Sequence, residues 1–127
     1  MSQTNELEIM ERIALDLERV EESLASSFNT GAEDFNALIR PLSAAGGKRL
    51  RAQLCLLIAN AGTSIERQRI KIAEAVEMLH LATLIHDDVL DQAEIRRGED
   101  TIHMHKGNKV AILSGDYLFA KAFKIVS

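Results

Sequence analysis

Tryptophan is missing from this 127-residue sequence, and proline, cysteine and tyrosine each occur once. Aromatic residues make up only 4% of the chain, and its long leucine- and alanine-rich segments lack strand-like alternation. This composition predicts an all-α fold. With 46% hydrophobic residues the chain can still build a real core, which excludes a disordered tail.

The single cysteine and the short apolar runs limit the possible functions further. Cys55 lies in the apolar run 54–59, where we expect a reduced, buried thiol rather than a ligand or a nucleophile. That run is too short to span a bilayer, and the first residues lack the basic and then apolar plan of a signal peptide. We therefore expect a soluble, cytoplasmic protein with no stable membrane insertion.

Charge is spread unevenly. The net charge is -4, but residues 1–36 carry nine acidic and two basic side chains, which leaves ten acidic and thirteen basic ones in residues 37–127. A mild basic excess suits a small phosphorylated ligand bridged by cations, whereas nucleic-acid binding requires a denser basic face. We expect no nucleic-acid partner.

Apolar residues recur at spacings of three and four and predict five helices. These span about residues 5–27, 35–42, 48–60, 63–91 and 108 onwards. Pro41 should kink or end the second helix, and Gly62 should stop the third. Thr63 and Glu66 have the form of a capping box at the start of the fourth, and a charged loop, 92–107, precedes the last. The apolar members of the third helix are Leu50, Leu54, Leu57 and Ile58.

Three aspartates follow the apolar stripe of the fourth helix, in the segment HLATLIHDDVLDQAEIRRG, 80–98. At about 3.6 residues per turn, Asp87 and Asp91 lie about 40° apart and Asp88 about 100° from Asp87, so the carboxylates can converge. Such a cluster needs a cation, and a divalent metal ion with oxygen ligands is the simplest remedy. The pattern therefore suits Mg²⁺ shared with ligand phosphates. The alternative is a solvated helix end that carries scattered acidic residues.

Basic residues on both sides of the aspartates could hold those phosphates. The segment GGKRLR, 46–51, opens the third helix, where free N–H groups and the helix dipole favour anions, and Lys48 and Arg51 share a face. Arg96 and Arg97 come directly after the aspartates. Each cluster alone also fits ordinary surface lysines and arginines.

The histidines are less specific. His80 precedes Asp87 by seven residues on nearly the same helix face, about 10 Å along the axis, where it could donate to a second phosphorylated ligand. A lone histidine on an apolar face is more often a core residue. His86 could support the metal ligands, and His103 and His105 should be exposed in a loop.

Three segments together resemble the trans-type isoprenyl diphosphate synthases, the polyprenyl synthetase family. They are GGKRLR at 46–51, HLATLIHDDVLDQAEIRRG at 80–98 and GNKVAILSGDYLFAKAF at 107–123. The resemblance covers the chain from about residue 40 and implies an isoprenoid-synthase helical bundle that works as a dimer. It implies that residues 1–127 are the N-terminal part of one domain, apparently truncated, with 1–30 as an amphipathic helix and 31–127 as substrate-binding helices.

The resemblance also implies residue roles in a prenyltransferase that joins isopentenyl diphosphate to an allylic diphosphate. The positions that match the isopentenyl diphosphate site are Lys48, Arg51, His80 and Arg97. The positions that match the first aspartate-rich motif, which grips the allylic diphosphate through Mg²⁺, are Asp87, Asp88 and Asp91. Arg96 matches the arginine on the allylic diphosphate. Metal ions and arginines stabilise the leaving diphosphate while the isopentenyl double bond attacks the allylic cation.

Two departures from the family pattern matter. Ala52 stands where the family usually has proline, and a second aspartate-rich motif has no counterpart, because Asp116 is the sole acidic residue after residue 100. We therefore expect residues 1–127 alone to make no polyprenyl diphosphate. Two alternatives stay open: a non-catalytic subunit of a heteromeric synthase, and an HD-type metal phosphohydrolase suggested by the dipeptide His86-Asp87.

Product length is a last implication of the resemblance. In the family the growing chain runs beside the helix that bears the first motif, and Thr83 and Ala82 are the fourth and fifth residues ahead of Asp87. Both side chains are small. A medium- or long-chain product is therefore expected rather than farnesyl diphosphate, and Ala82→Phe is expected to shorten it.

Overall fold

The computed structural model describes residues 3–44, 47–96 and 98–127, and helices make up most of them. The helices are α1 (Gln3–Ser27), α2 (Glu33–Ala44), α3 (Leu50–Ala61), α4 (Glu66–Leu90), α5 (Ile102–Lys106) and α6 (Asn108–Val126). Between α4 and α5, β1 (Ile95–Arg96) and β2 (Glu99–Asp100) form a short antiparallel pairing, with Ile95 opposite Asp100. The predicted all-α fold is confirmed, with this small pairing added.

The centre of the helical packing is α4. Its most extensive contact is with α6, while α1 and α3 pack both on α4 and on each other. The large buried side chains of the core are Leu24, Phe28, Ile39, Leu56, Met78 and Leu118. The buried residues of α4 lie on one broad face. This face carries the carboxylates of Glu74, Glu77 and Asp88 as well as apolar side chains, so it is not the apolar stripe of a surface helix. None of the helices in the described part of the chain combines the length and the apolar character that a membrane span requires.

Buried carboxylates join α1 to its neighbours. Asp16 of α1 accepts hydrogen bonds from Arg69 at 2.7 and 3.1 Å and from Asn60 at 3.2 Å. Burial raises the pKa of Asp16, but these hydrogen bonds and the charge of Arg69 outweigh it and lower the pKa below its ordinary value. This carboxylate therefore stabilises the fold above its unfolded-state pKa, and the contribution is lost as the pH falls through the folded-state value.

A glycine lets α6 approach α4 closely. The ring of His86 on α4 lies over Gly115 of α6, and a Cβ atom built at Gly115 would be 2.3 Å from the His86 Nε2. That nitrogen is 3.0 Å from the carbonyl oxygen of Ile112 and 3.3 Å from Asp116 Oδ1, and the ring packs on Phe119. His86 is thus a packing contact between two helices.

At Pro41, α2 differs from its prediction. Of the two expected effects of Pro41, a kink or an end of the helix, the end is wrong, because α2 continues through Pro41 to Ala44. An interior proline removes a backbone N–H and crowds the preceding turn, at a cost of about 3 kcal/mol. Burial of the apolar side chains of Ile39 and Leu42 on the same helix offsets this cost.

The structure also differs from the predicted capping box at the start of α4 and from the predicted loop 92–107. Glu66 is the first residue of α4, and Ile65 takes the cap position that was predicted for Thr63. The apolar side chain of Ile65 cannot cap the helix, while Ser64 donates to the carbonyl of Ala59 at 3.0 Å. The predicted loop 92–107 contains the strand pairing and α5. His103 lies on α5 in a half-buried position and not in an exposed loop.

The apolar residues that predicted α3 are exposed in the structure. Ala52 and Leu56 are buried, whereas the expected apolar members are exposed: Leu50, Leu54, Leu57 and Ile58. The apolar residues of α3 itself lie on all of its sides. Periodicity alone therefore cannot decide which side of α3 packs on α1 and α4. Cys55 is free as expected but only half-buried, and burial followed by the charge of Glu77 raises its pKa.

Gly115→Ala tests the close approach of α6 to α4. The new methyl group must displace the His86 ring from its contacts, so we expect a loss of about 1–3 kcal/mol in the free energy of unfolding. Chemical denaturation measures the loss. His86→Ala should remove most of the additional cost in a double-mutant cycle, and additive effects would contradict the clash.

Candidate functional site

The three aspartates occupy the end of α4 but do not share one environment. Asp88 is buried, at 4% exposed, while Asp87 and Asp91 are exposed. Asp91 follows the last residue of the helix, and its N–H donates to the carbonyl of Asp87 at 2.8 Å. Two carboxylates therefore lie one turn apart on the surface, and the third faces the interior.

Asp88 is held by Arg96. The Arg96 Nε donates to both carboxylate oxygens, at 2.7 and 2.9 Å, and Nη2 lies 2.6 Å from Oδ1. Apolar side chains surround the pair in a small cavity, namely Leu42, Leu81, Leu84 and Ile85. The hydrogen bond to Asp88, followed by the charges of Asp88, Asp87 and Asp91, raises the pKa of Arg96. All three aspartates thus act on one guanidinium group.

The segment after α4 is tied down by further hydrogen bonds. The Ala93 N–H donates to the carbonyl of Asp88 at 2.9 Å, and the Ala93 carbonyl accepts from the buried Thr101 hydroxyl at 2.8 Å. His103 Nε2 lies 2.5 Å from the same carbonyl. Sequence patterns did not identify Thr101 or His103, because both contacts depend on the turn that the strand pairing makes.

The carboxylate oxygens of this cluster are the hard donors that Mg²⁺ prefers. Within the described residues, no group of three His, Cys, Asp or Glu side chains is placed to hold a metal ion. Asp88 already binds Arg96, whereas the exposed Asp87 and Asp91 are accessible from solvent. The donor set therefore fits an ion that keeps several waters and takes two protein carboxylates.

The basic segment before α3 has an unusual backbone. Gly47 and Arg49 both have positive φ, 74° and 54°, so the chain makes a left-handed turn directly before the helix. Lys48 and Arg51 are exposed, while the Arg49 side chain is directed inward and is only 10% exposed. Arg49 thus points inward between Lys48 and Arg51, the two solvent-facing cations that are predicted to bind phosphate. Gly46 and Arg97 lie outside the described residues.

Two predicted chain-length residues lie on different faces of α4. Ala82 is completely buried in the core, whereas Thr83 is exposed and donates to the carbonyl of His80 at 2.7 Å. The resemblance predicts that both line the path of the growing chain. Adjacent helix residues point about 100° apart, and here this difference leaves Ala82 in the core and Thr83 at the surface.

The packing of α3 on α4 relates the two halves of the site. The Ala52 N–H at the start of α3 donates to Glu77 of α4 at 3.0 Å. His80 lies one turn further along α4, and Asp87 lies about 15 Å from Glu77 by the helical rise of about 1.5 Å per residue. The basic segment is thus anchored beside the middle of α4 and the aspartates lie at its end, so the rigid helix sets the distance between them. His86 contacts α6, so it gives no support to the HD-type phosphohydrolase alternative.

Comparison with known proteins gives consistent matches. A model of the family described as polyprenyl synthetase matches residues 32–127. The chain is 36% identical over 120 residues to solanesyl diphosphate synthase 1, chloroplastic, of Arabidopsis thaliana, covering 90% of this chain and 30% of that protein. It is 42% identical over 110 residues to nonaprenyl diphosphate synthase of Mycobacterium tuberculosis, covering 86% and 33%.

A solved structure matches as well. Polyprenyl synthase from Caulobacter crescentus, complexed with calcium and isoprenyl diphosphate, superposes with a TM-score of 0.85 at 36% identity, covering 92% of this chain and 36% of that one. The chain spans about a third of the length of the curated relatives it matches.

Arg96→Leu tests whether the Asp88–Arg96 pair organises the end of α4. The substitution leaves a buried carboxylate without its cation, and we expect a loss of about 3 kcal/mol in the free energy of unfolding. The double variant Asp88→Leu/Arg96→Leu removes the uncompensated charge and should recover part of that loss in denaturant titrations. Equal stability of Arg96→Leu and the parent protein would contradict the pair's structural role.

Proposed function

The chain belongs to the polyprenyl synthetase family, and we propose that the complete gene product is a polyprenyl diphosphate synthase that condenses isopentenyl diphosphate with an allylic diphosphate. One observation carries this proposal: Asp87 and Asp91 are exposed one turn apart, directly beside an arginine that Asp88 holds in place. Carboxylates for a divalent ion and a fixed guanidinium group are what a diphosphate leaving group requires.

The three aspartates have different roles in this proposal. Asp87 and Asp91 would hold Mg²⁺, and when bound the ion supplies positive charge to the leaving diphosphate. Asp88 orients Arg96 instead of taking a free ligand position. The guanidinium group has five N–H donors, and Asp88 occupies one edge of it, so the remaining donors can reach the allylic diphosphate.

The second substrate belongs at the other end of the site. Lys48 and Arg51 are exposed at the start of α3, and His80 lies one turn from the contact that joins α3 to α4. We assign these three residues, together with Arg97, to the diphosphate of isopentenyl diphosphate. We also propose a homodimer in the cytoplasm.

Thr83 is the chain-length residue that this structure favours. It is exposed on α4 one turn before Asp87, whereas Ala82 belongs to the core. A hydrocarbon chain that starts from a diphosphate near Asp87 and runs back along α4 would pass Thr83. The small side chain agrees with a medium- or long-chain product.

The first functional test removes the metal ligands one at a time. Asp87→Asn and Asp91→Asn keep the size of each side chain but remove its charge, so each should lower the turnover of the complete gene product with Mg²⁺ by at least about 100-fold. Asp34→Asn, the same change at an exposed position on α2, is the matched control and should keep full activity. Near-normal turnover of both site variants, with unchanged helix content, would overturn the metal assignment.

The second test concerns product length. Thr83→Phe should shorten the longest product, because an aromatic ring would block the path along α4, while Thr83→Val should leave the distribution unchanged. Mass spectrometry of the extracted products measures this. Ala82→Phe instead overpacks the core and should cost about 1–3 kcal/mol of stability. A shortened product from Ala82→Phe at full stability, with none from Thr83→Phe, would reverse the assignment.

A further inference from the structure

Glu77 is a buried carboxylate that the proposed reaction does not use. It lies in the middle of α4, is 3% exposed and accepts the N–H of Ala52 at 3.0 Å through Oε1. Ala52 is the third residue of α3. The first N–H groups of a helix have no partner within it, and a side chain just before the helix usually supplies one.

The residue directly before α3 does not supply that partner. Arg49 occupies the cap position in a left-handed conformation and makes no side-chain cap hydrogen bond. A carboxylate from a different helix therefore caps α3, and its negative charge lies at the positive end of the helix dipole. The contact fixes the direction in which α3 leaves the turn.

Glu77 also faces the side chain of Arg49. The Arg49 Nη1 lies 3.8 Å from Glu77 Oε2, while its other nitrogens contact Glu21 at 2.5 Å and the Ser43 carbonyl at 2.7 Å. A left-handed conformation is costly for a residue with a Cβ atom, and it persists where surrounding contacts hold it. These contacts hold Arg49 inward, between the exposed side chains of Lys48 and Arg51.

Glu74, one turn earlier, provides the contrast. It is equally buried, at 3% exposed, but it accepts hydrogen bonds from the hydroxyls of Ser23 and Ser27 of α1, at 2.6 Å each. Its contacts are remote from the basic segment. Glu74 and Glu77 are thus both buried glutamates of α4, but their contacts differ. Glu74 packs α4 on α1, whereas Glu77 contacts the segment predicted to bind phosphate.

We infer that Glu77 is a positioning residue for the diphosphate of isopentenyl diphosphate: by capping α3 and facing Arg49, it fixes the turn that presents Lys48 and Arg51. This inference rests on the proposed function. Because Glu77 touches no substrate in this arrangement, its loss should weaken binding of one substrate and leave the chemical step unchanged.

The test compares Glu77→Gln with Glu74→Gln in the complete gene product. Glutamine keeps an oxygen for the Ala52 N–H but removes the charge that faces Arg49. Titration calorimetry with isopentenyl diphosphate should give about a tenfold higher Kd for Glu77→Gln, which corresponds to about 1.4 kcal/mol. Its kcat and its KM for the allylic diphosphate should not change, and amide exchange in residues 49–52 should become faster. Glu74→Gln should show none of these effects.

The possible failures are distinguishable. If the parent protein binds isopentenyl diphosphate and both variants bind it equally well, the positioning role is wrong and the proposed function stands. If Glu77→Gln lowers kcat and raises both KM values together, Glu77 acts through general stability and the inference is also wrong. If the parent protein does not bind isopentenyl diphosphate, the proposed function itself fails, and the inference with it.

Discussion

Three carboxylates buried along α4 are the constraint on which the arrangement of the chain depends. Glu74, Glu77 and Asp88 are each at most 4% exposed, and a buried charge is costly unless it is paired or hydrogen-bonded. Each finds its partner on a different element: the hydroxyls of α1, the first turn of α3, and Arg96 of β1. The need to satisfy these groups fixes where all three elements dock on α4.

This constraint also separates structural charges from those available for chemistry. Asp88 holds Arg96 and Glu77 faces Arg49, whereas Asp87, Asp91, Lys48 and Arg51 remain exposed. They lie at two places along one rigid helix, carboxylates at its end and cations beside its middle. The proposed site for two diphosphates needs a stiff support of this kind, because misplaced charges stabilise a leaving group poorly.

Much of the fold was predictable from local pattern, whereas the buried charges were not. The three-four spacing gave the five long helices and the resemblance gave the family, which the family match to residues 32–127 supports. The sequence could not reveal that Glu74 and Glu77 face inward, because glutamates in a helix are normally solvated and their partners lie far away in the chain. The exposed leucines of α3 and the passage of α2 through Pro41 likewise depend on tertiary packing.

A crystal structure of the complete gene product with isopentenyl diphosphate, a non-hydrolysable allylic diphosphate analogue and Mg²⁺ tests the account most directly. We expect one diphosphate in contact with Lys48 and Arg51, and the other bound through metal ions to Asp87 and Asp91, with Arg96 still paired to Asp88. Electron density for either diphosphate away from these residues, or Asp88 released from Arg96 to bind the metal ions, would contradict it.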